Sequence, residues 1–148
     1  MDDKRLTVFL QTITQYLKQT NTHSLQLGTP YLADSDKPTV YDFTGIIGVS
    51  GAYKGCIYFT APRALLKHML LSFGESDLND ENLNDMAGEV TNIISGNARQ
   101  DLGSEFMISV PIVIRGDLDE IYLPTGIRSY VIPIFWSSYR AAIVISLE

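Results

Sequence analysis

The chain has 148 residues, 45% hydrophobic and 19% charged, a balance that supports a globular core and is wrong for a disordered chain. Its length is that of one domain, expected here to span residues 1–148. The net charge of −6, with eleven Lys and Arg scattered along the chain, lacks the basic patch of a nucleic-acid binder.

Leu6, Phe9, Leu10, Ile13, Tyr16 and Leu17 recur at helical spacing and predict a first helix over 4–20. This stretch begins with acidic residues and has no apolar core ending in small residues, so it does not read as a signal peptide. No apolar run approaches the roughly 18 residues that a membrane span needs. A single cysteine, Cys56, forbids an internal disulfide. Together these features predict a cytoplasmic protein with no membrane segment.

"THSLQLGTPYLAD" (22–34) follows as a turn and a strand. "TVYDFTGIIGVSG" and "YKGCIYFTAP" read as two strands joined by a tight turn at Gly51-Ala52. Cys56 lies in the second of them and reads as a buried small hydrophobe. Pro62 opens a second helix and Gly74 closes it. His68, within it, reads as a helix surface or boundary residue. His23 is far away in the chain, and neither histidine has metal-type spacing. "ESDLNDEN" offers Ser76, Asn79 and Asp80 as N-caps for a long third helix over 83–103. After Gly103 come "EFMISVPIVIRG" and the extended end "IRSYVIPIFWSSYRAAIVISLE".

Residues 44–60 align without gaps on 130–146. In that register Ile46, Tyr53, Lys54, Ile57, Phe59 and Thr60 match Ile132, Tyr139, Arg140, Ile143, Ile145 and Ser146. Each copy is preceded by a helix and a Pro-containing segment, "LGTPYLA" or "ISVPIVI". The predicted fold is α/β (α+β): two pseudo-duplicated helix-plus-hairpin units, the second helix inserted between them, with the helices packed on one largely antiparallel sheet.

At about 100° per residue, Leu83, Met86, Val90, Ile93, Ile94 and Ala98 share one broad side of the third helix. Asp85, Glu89, Asn92 and Gly96 gather opposite, within roughly 60° of one another, with Arg99 beside them. The flank also carries Gly88, and each interior glycine costs about 1 kcal/mol relative to alanine. Two readings fit: a solvated face, slightly favoured by residue physics alone, or a face cleared for the approach of another backbone. A carboxylate there can hold a partner's lysine or arginine. A carboxamide offers both a donor and an acceptor, so it can orient a water at any ordinary pH, as a glutamine does in small GTPases.

Asp85-Met86-Ala87-Gly88-Glu89-Val90-Thr91-Asn92, a D-x-x-x-E-x-x-N pattern followed by "IISGNA", resembles the signature helix of the CheC/CheX/FliY chemotaxis phosphatases. "DFTGIIGVSGAYKGCIYF" and "ISVPIVIRG" resemble the CheX hairpin and its following strand, in the same order along the chain. Glu81 and Asn84 also fit E-x-x-N, but Asn84 rotates off the Glu89 face. The resemblance implies a CheC/CheX-like fold and hydrolysis of the aspartyl phosphate of a phosphorylated CheY-like response regulator. Asn92 would orient the attacking water, Glu89 would pair with the receiver's lysine, and Asp85 would support them, with Gly88 and Gly96 giving room. It implies no cofactor on this chain and a Mg²⁺ on the receiver. CheC relatives carry the signature on two helices; no glutamate precedes Glu75, so one site per chain is expected, as in CheX. A homodimer is also implied, with the apolar terminal strand either a pairing edge or a mid-sheet strand. The alternatives are an adaptor of the same fold that binds the receiver without hydrolysis, and a dimerisation domain whose Glu89 flank is only solvated.

Overall fold

The computed structural model describes residues 3–19, 25–34, 39–102, 106–116, 128–136 and 138–147. The elements in chain order are α1 (Asp3–Gln19), β1 (Leu25–Leu27), β2 (Tyr31–Asp34), β3 (Phe43–Gly51), β4 (Gly55–Ala61), α2 (Arg63–Ser72), α3 (Asp80–Leu102), β5 (Phe106–Ile108), β6 (Ile112–Arg115), β7 (Arg128–Trp136) and β8 (Tyr139–Leu147). The described part of the predicted turn and strand over 22–34 holds two short strands, and the third helix begins at Asp80, ahead of the stretch 83–103 and next to its N-cap candidate Asn79. Asn79 is its cap: the Asn79 Oδ1 accepts the Asn82 N–H at 2.8 Å. Gly51, at φ 96°, turns the chain out of β3 in a conformation that costs glycine little.

All eight strands form one antiparallel sheet in the order β1-β7-β8-β4-β3-β5, with β2 also on β7 and β6 also on β3. The order is a palindrome: each hairpin takes two short strands on its outer side. Tyr58 pairs with Val144, Ile57 with Ile145 and Phe59 with Ile143, so the two hairpins meet about a local two-fold between β4 and β8. The gapless alignment holds along β4 and β8 but slips by one in the preceding strands. Ile57 faces Ile47, whereas its counterpart Ile143 faces Ile132. Ile132 therefore corresponds to Ile47, not Ile46. The reason is loop length: five residues separate the pair Val49 and Gly55, and six separate Ile134 and Ala141.

The terminal strand β8 lies mid-sheet, between β7 and β4, and is buried from Ala141 to Leu147. A strand covered on both faces has no use for polar alternation, which explains the apolar run from Ala141 to Ile145. One face of the sheet packs against the helices through Phe43, Ile57, Phe59, Ile132, Ile143 and Ile145, which meet Leu65, Leu66, Leu83, Met86, Val90 and Ile94. A smaller cluster of Tyr58, Val131, Ala142 and Val144 occupies the other face. Burial at this scale supplies most of the stability, at roughly 25 cal/mol per Å² of apolar surface.

Two contacts set α3 in place. At its N-terminus Asp80 binds both Arg63, from the start of α2, and Arg115, from the end of β6, the latter at 3.2 Å. The Arg63 hydrogen bond holds the Asp80 carboxyl below the usual carboxylate range, and the charges of Arg63 and Arg115 add to it. Midway along, α3 lies almost on the backbone of β3. A Cβ at Gly45 would stand 2.5 Å from Thr91 Oγ1 and 2.7 Å from the Ala87 carbonyl oxygen. Gly45→Ala must therefore push helix and strand apart. The expected loss is about 1–3 kcal/mol, the usual cost of overpacking, read as a lower urea midpoint at unchanged slope.

Candidate functional site

The site is a surface of α3. Leu83, Met86, Ala87, Val90 and Ile94 are buried on the sheet side, while Asp85, Glu89, Asn92 and Arg99 are exposed. Ala98, expected on the core side, has a side chain outside the described residues, and His23 and Gly103 also lie outside them. The rotation follows from the periodicity. Once the apolar stripe meets the sheet, residues at Glu89 and three positions on at Asn92 must share the outer face, with Cβ atoms about 5–6 Å apart. Both carry polar groups that are free to meet another molecule.

The two glycines divide. At Gly96 a Cβ would meet nothing within 4 Å, so the helix there is open on its outer side. Gly88 is buried, and a Cβ on it would meet Val113 Cγ2 at 3.1 Å. The space at Gly88 is thus already filled by β6 of the same chain, which corrects the expectation that it clears room for a partner. At about 100° from Glu89, position 88 sits on the shoulder of the face, where the neighbouring strand reaches it.

Three residues beside the site had no signature in the sequence. Thr91, between Glu89 and Asn92, is buried, and its hydroxyl lies 3.0 Å from the Gly45 carbonyl oxygen and 2.8 Å from that of Ala87. Gly45 itself is the second. Tyr16 of α1 is the third: it is buried, and its hydroxyl is pushed well above its ordinary pKa by burial first and by the negative charge of Glu89 second. α1 therefore packs beside α3 near the Glu89 end of the face. A polar residue on the apolar stripe, as at Thr91, was the one available hint. The other Glu-x-x-Asn pair does not form such a face, because Asn84 is half-buried and its Oδ1 is enclosed without a hydrogen-bond partner.

Outside α3 the candidates recede. His68 is exposed on α2 and its ring lies tilted against Trp136, centroids 3.7 Å apart. Among the described residues no group of three or more His, Cys, Asp and Glu could hold a metal ion, and no helix is long and apolar enough to cross a membrane. Cys56 is half-buried, and burial pushes its thiol up to about 11. The thiolate is the reactive form. Alkylation by iodoacetamide at pH 8 should therefore run on the order of 10²-fold slower than for a free thiol, and should recover that rate in denaturing urea.

A protein-family model described as "Chemotaxis phosphatase CheX" matches residues 43–135, which include β3, β4, α2, α3, β5 and β6 whole. No curated protein matches the sequence. Among solved structures, the chain is similar to a chemotactic CheC-like protein of Shewanella oneidensis MR-1, at 25% identity and TM-score 0.86 over 100% of both chains. It is also similar to the chemotaxis protein CheX of Vibrio vulnificus, at 27% identity and TM-score 0.81 over 98% of this chain and 99% of that one. The fold is shared, at 23% identity and TM-score 0.77 over 97% of each chain, with CheX in the CheX–CheY–BeF3–Mg²⁺ complex of Borrelia burgdorferi.

Proposed function

The chain belongs to the chemotaxis phosphatase CheX family, and from that premise we propose that it hydrolyses the aspartyl phosphate of a CheY-like response regulator. The observation that carries the reading is the outward projection of Glu89 and Asn92 together from one face of α3.

In this mechanism α3 docks over the receiver's phosphorylation site. The Glu89 carboxylate pairs with the receiver's lysine, which orients the two proteins. The Asn92 carboxamide accepts a hydrogen bond from a water through Oδ1 and donates through Nδ2 towards a phosphoryl oxygen. That holds the water in line with the bond to be broken. The water oxygen bonds to phosphorus, the bond between phosphorus and the aspartyl oxygen breaks, and inorganic phosphate and the free carboxylate leave. A Mg²⁺ held by the receiver would neutralise the phosphoryl charge, leaving to this chain the docking charge of Glu89 and the orientation of the water by Asn92. Orientation alone can supply several kcal/mol of barrier reduction. Asp85, one turn before Glu89 and also exposed, supports the pairing, and the open side of α3 at Gly96 admits the receiver's backbone.

The reaction would take place in the cytoplasm, where its substrate would be. A homodimer forms part of the proposal, and a second copy cannot add to the sheet through β8; among the described residues the outer sides of the sheet are β1–β2 and β5–β6. A receiver-binding adaptor remains the second reading, though an adaptor has no use for an exposed carboxamide beside the carboxylate. The test follows inorganic phosphate from a phosphorylated receiver with and without this chain. Release accelerated by the chain supports hydrolysis. Tight binding with the receiver's own slow rate would replace it with the adaptor.

A further inference from the structure

We propose that Thr91 is a positioning residue: its hydroxyl, seated on Gly45, sets the rotation of α3 about its own axis and so aims Asn92. The inference rests on the phosphatase reading above for its kinetic consequence, though its geometry stands apart from it.

Thr91 is 1% exposed among apolar neighbours. Its single hydroxyl proton bridges two backbones, the helix at the Ala87 carbonyl and the strand at the Gly45 carbonyl, 46 positions away in sequence. The approach exists only because position 45 has no side chain. The second hairpin shows the contrast. Gly45 pairs with Phe59, and the corresponding pair there is Tyr130 with Ile145. A tyrosine thus stands where the hairpin under α3 has glycine, and the close seat belongs to the hairpin beneath the helix that carries Glu89 and Asn92.

The geometry makes the seat matter. Side chains reach about 5–6 Å from a helix axis, so a turn of roughly 10° moves their tips by about 1 Å. A misplacement of about 1 Å in a reacting group can cost on the order of 10²-fold in rate. Replacing the hydroxyl by a methyl would put carbon where oxygen now sits 2.8 and 3.0 Å from two carbonyl oxygens. Carbon–oxygen contacts normally begin near ~3.3 Å. The helix must then lift or turn.

The experiment compares wild type, Thr91→Val and Thr91→Ser, first in dephosphorylation of a phosphorylated receiver and in thermal unfolding, then in crystal structures. Thr91→Val should lose about tenfold or more in turnover at saturating receiver, with the half-saturating concentration changed by less than about threefold, because the long Glu89–lysine pair tolerates a small turn that the carboxamide does not. Thr91→Ser, which keeps the hydroxyl, should turn over within about threefold of wild type. Equal slowing in both variants would reduce position 91 to a packing site, and wild-type turnover in Thr91→Val would overturn the proposal. Should wild type itself fail to accelerate phosphate loss, the phosphatase reading falls and the crystal structures decide the positioning claim. α3 turned or raised in Thr91→Val but not in Thr91→Ser upholds it; α3 unmoved in both overturns it.

Discussion

Asn92→Ala should slow phosphate release from the receiver by about 10²-fold or more at saturating concentrations, while the complex still forms. The reason lies in what the amide does. It holds no charge and makes no covalent bond, so removing it leaves docking nearly intact and lets the water wander. Losing one well-placed hydrogen-bonding group at a reacting centre commonly costs on the order of 10²–10³-fold in turnover. Because a carboxamide does not titrate, the size of the defect should stay constant between about pH 6 and 8. The stability of the variant should match wild type, since position 92 is exposed. Turnover equal to wild type would remove the mechanism.

Glu89→Ala should act on the other half of the process. Removing one member of a desolvated charge pair leaves the partner lysine buried without a counter-charge, at about 2–5 kcal/mol. That is roughly 30-fold to a few thousandfold in Kd. Raising the concentration of the variant should therefore recover part of the lost rate, which it cannot do for Asn92→Ala. The net charge of −6 makes this pair the more important, because the chain as a whole offers no attraction to an acidic receiver. Glu89→Gln, which keeps the shape and loses the charge, should weaken binding nearly as much as alanine. Binding unchanged in either variant would move the contact elsewhere on α3.

Much of this was legible in the residues, and the parts that were not share a cause. Helical periodicity found α1 and α3, Pro62 and Gly74 bounded α2, and the apolar stripe of α3 put Glu89 and Asn92 outward before any coordinates. Signals of that kind are local: they need only the next turn of helix. The place of β8 is different. An unbroken apolar strand fits an edge that pairs with another copy as well as a strand covered on both faces, and only the sheet order decides. Gly88 failed for a similar reason. Its missing side chain signals a close neighbour, but the sequence cannot say that the neighbour is Val113 of the same chain. The seat of Thr91 on Gly45 joins residues 46 positions apart, and nothing near either one announces the other. The hairpin echo was visible, yet the one-residue slip depends on how the two turns close, which strand-like residues do not encode.

The most direct measurement is a side-chain amide spectrum of the ¹⁵N-labelled chain, taken with and without a receiver held in its phosphorylated form by beryllofluoride and Mg²⁺. The Asn92 Nδ2 pair should move strongly on binding, with the remaining shifts gathered along the Asp85–Gly96 face of α3. An Asn92 pair that stays where it was while shifts collect on another surface, the β1–β2 edge for instance, would show that the amide does not reach the phosphoryl group.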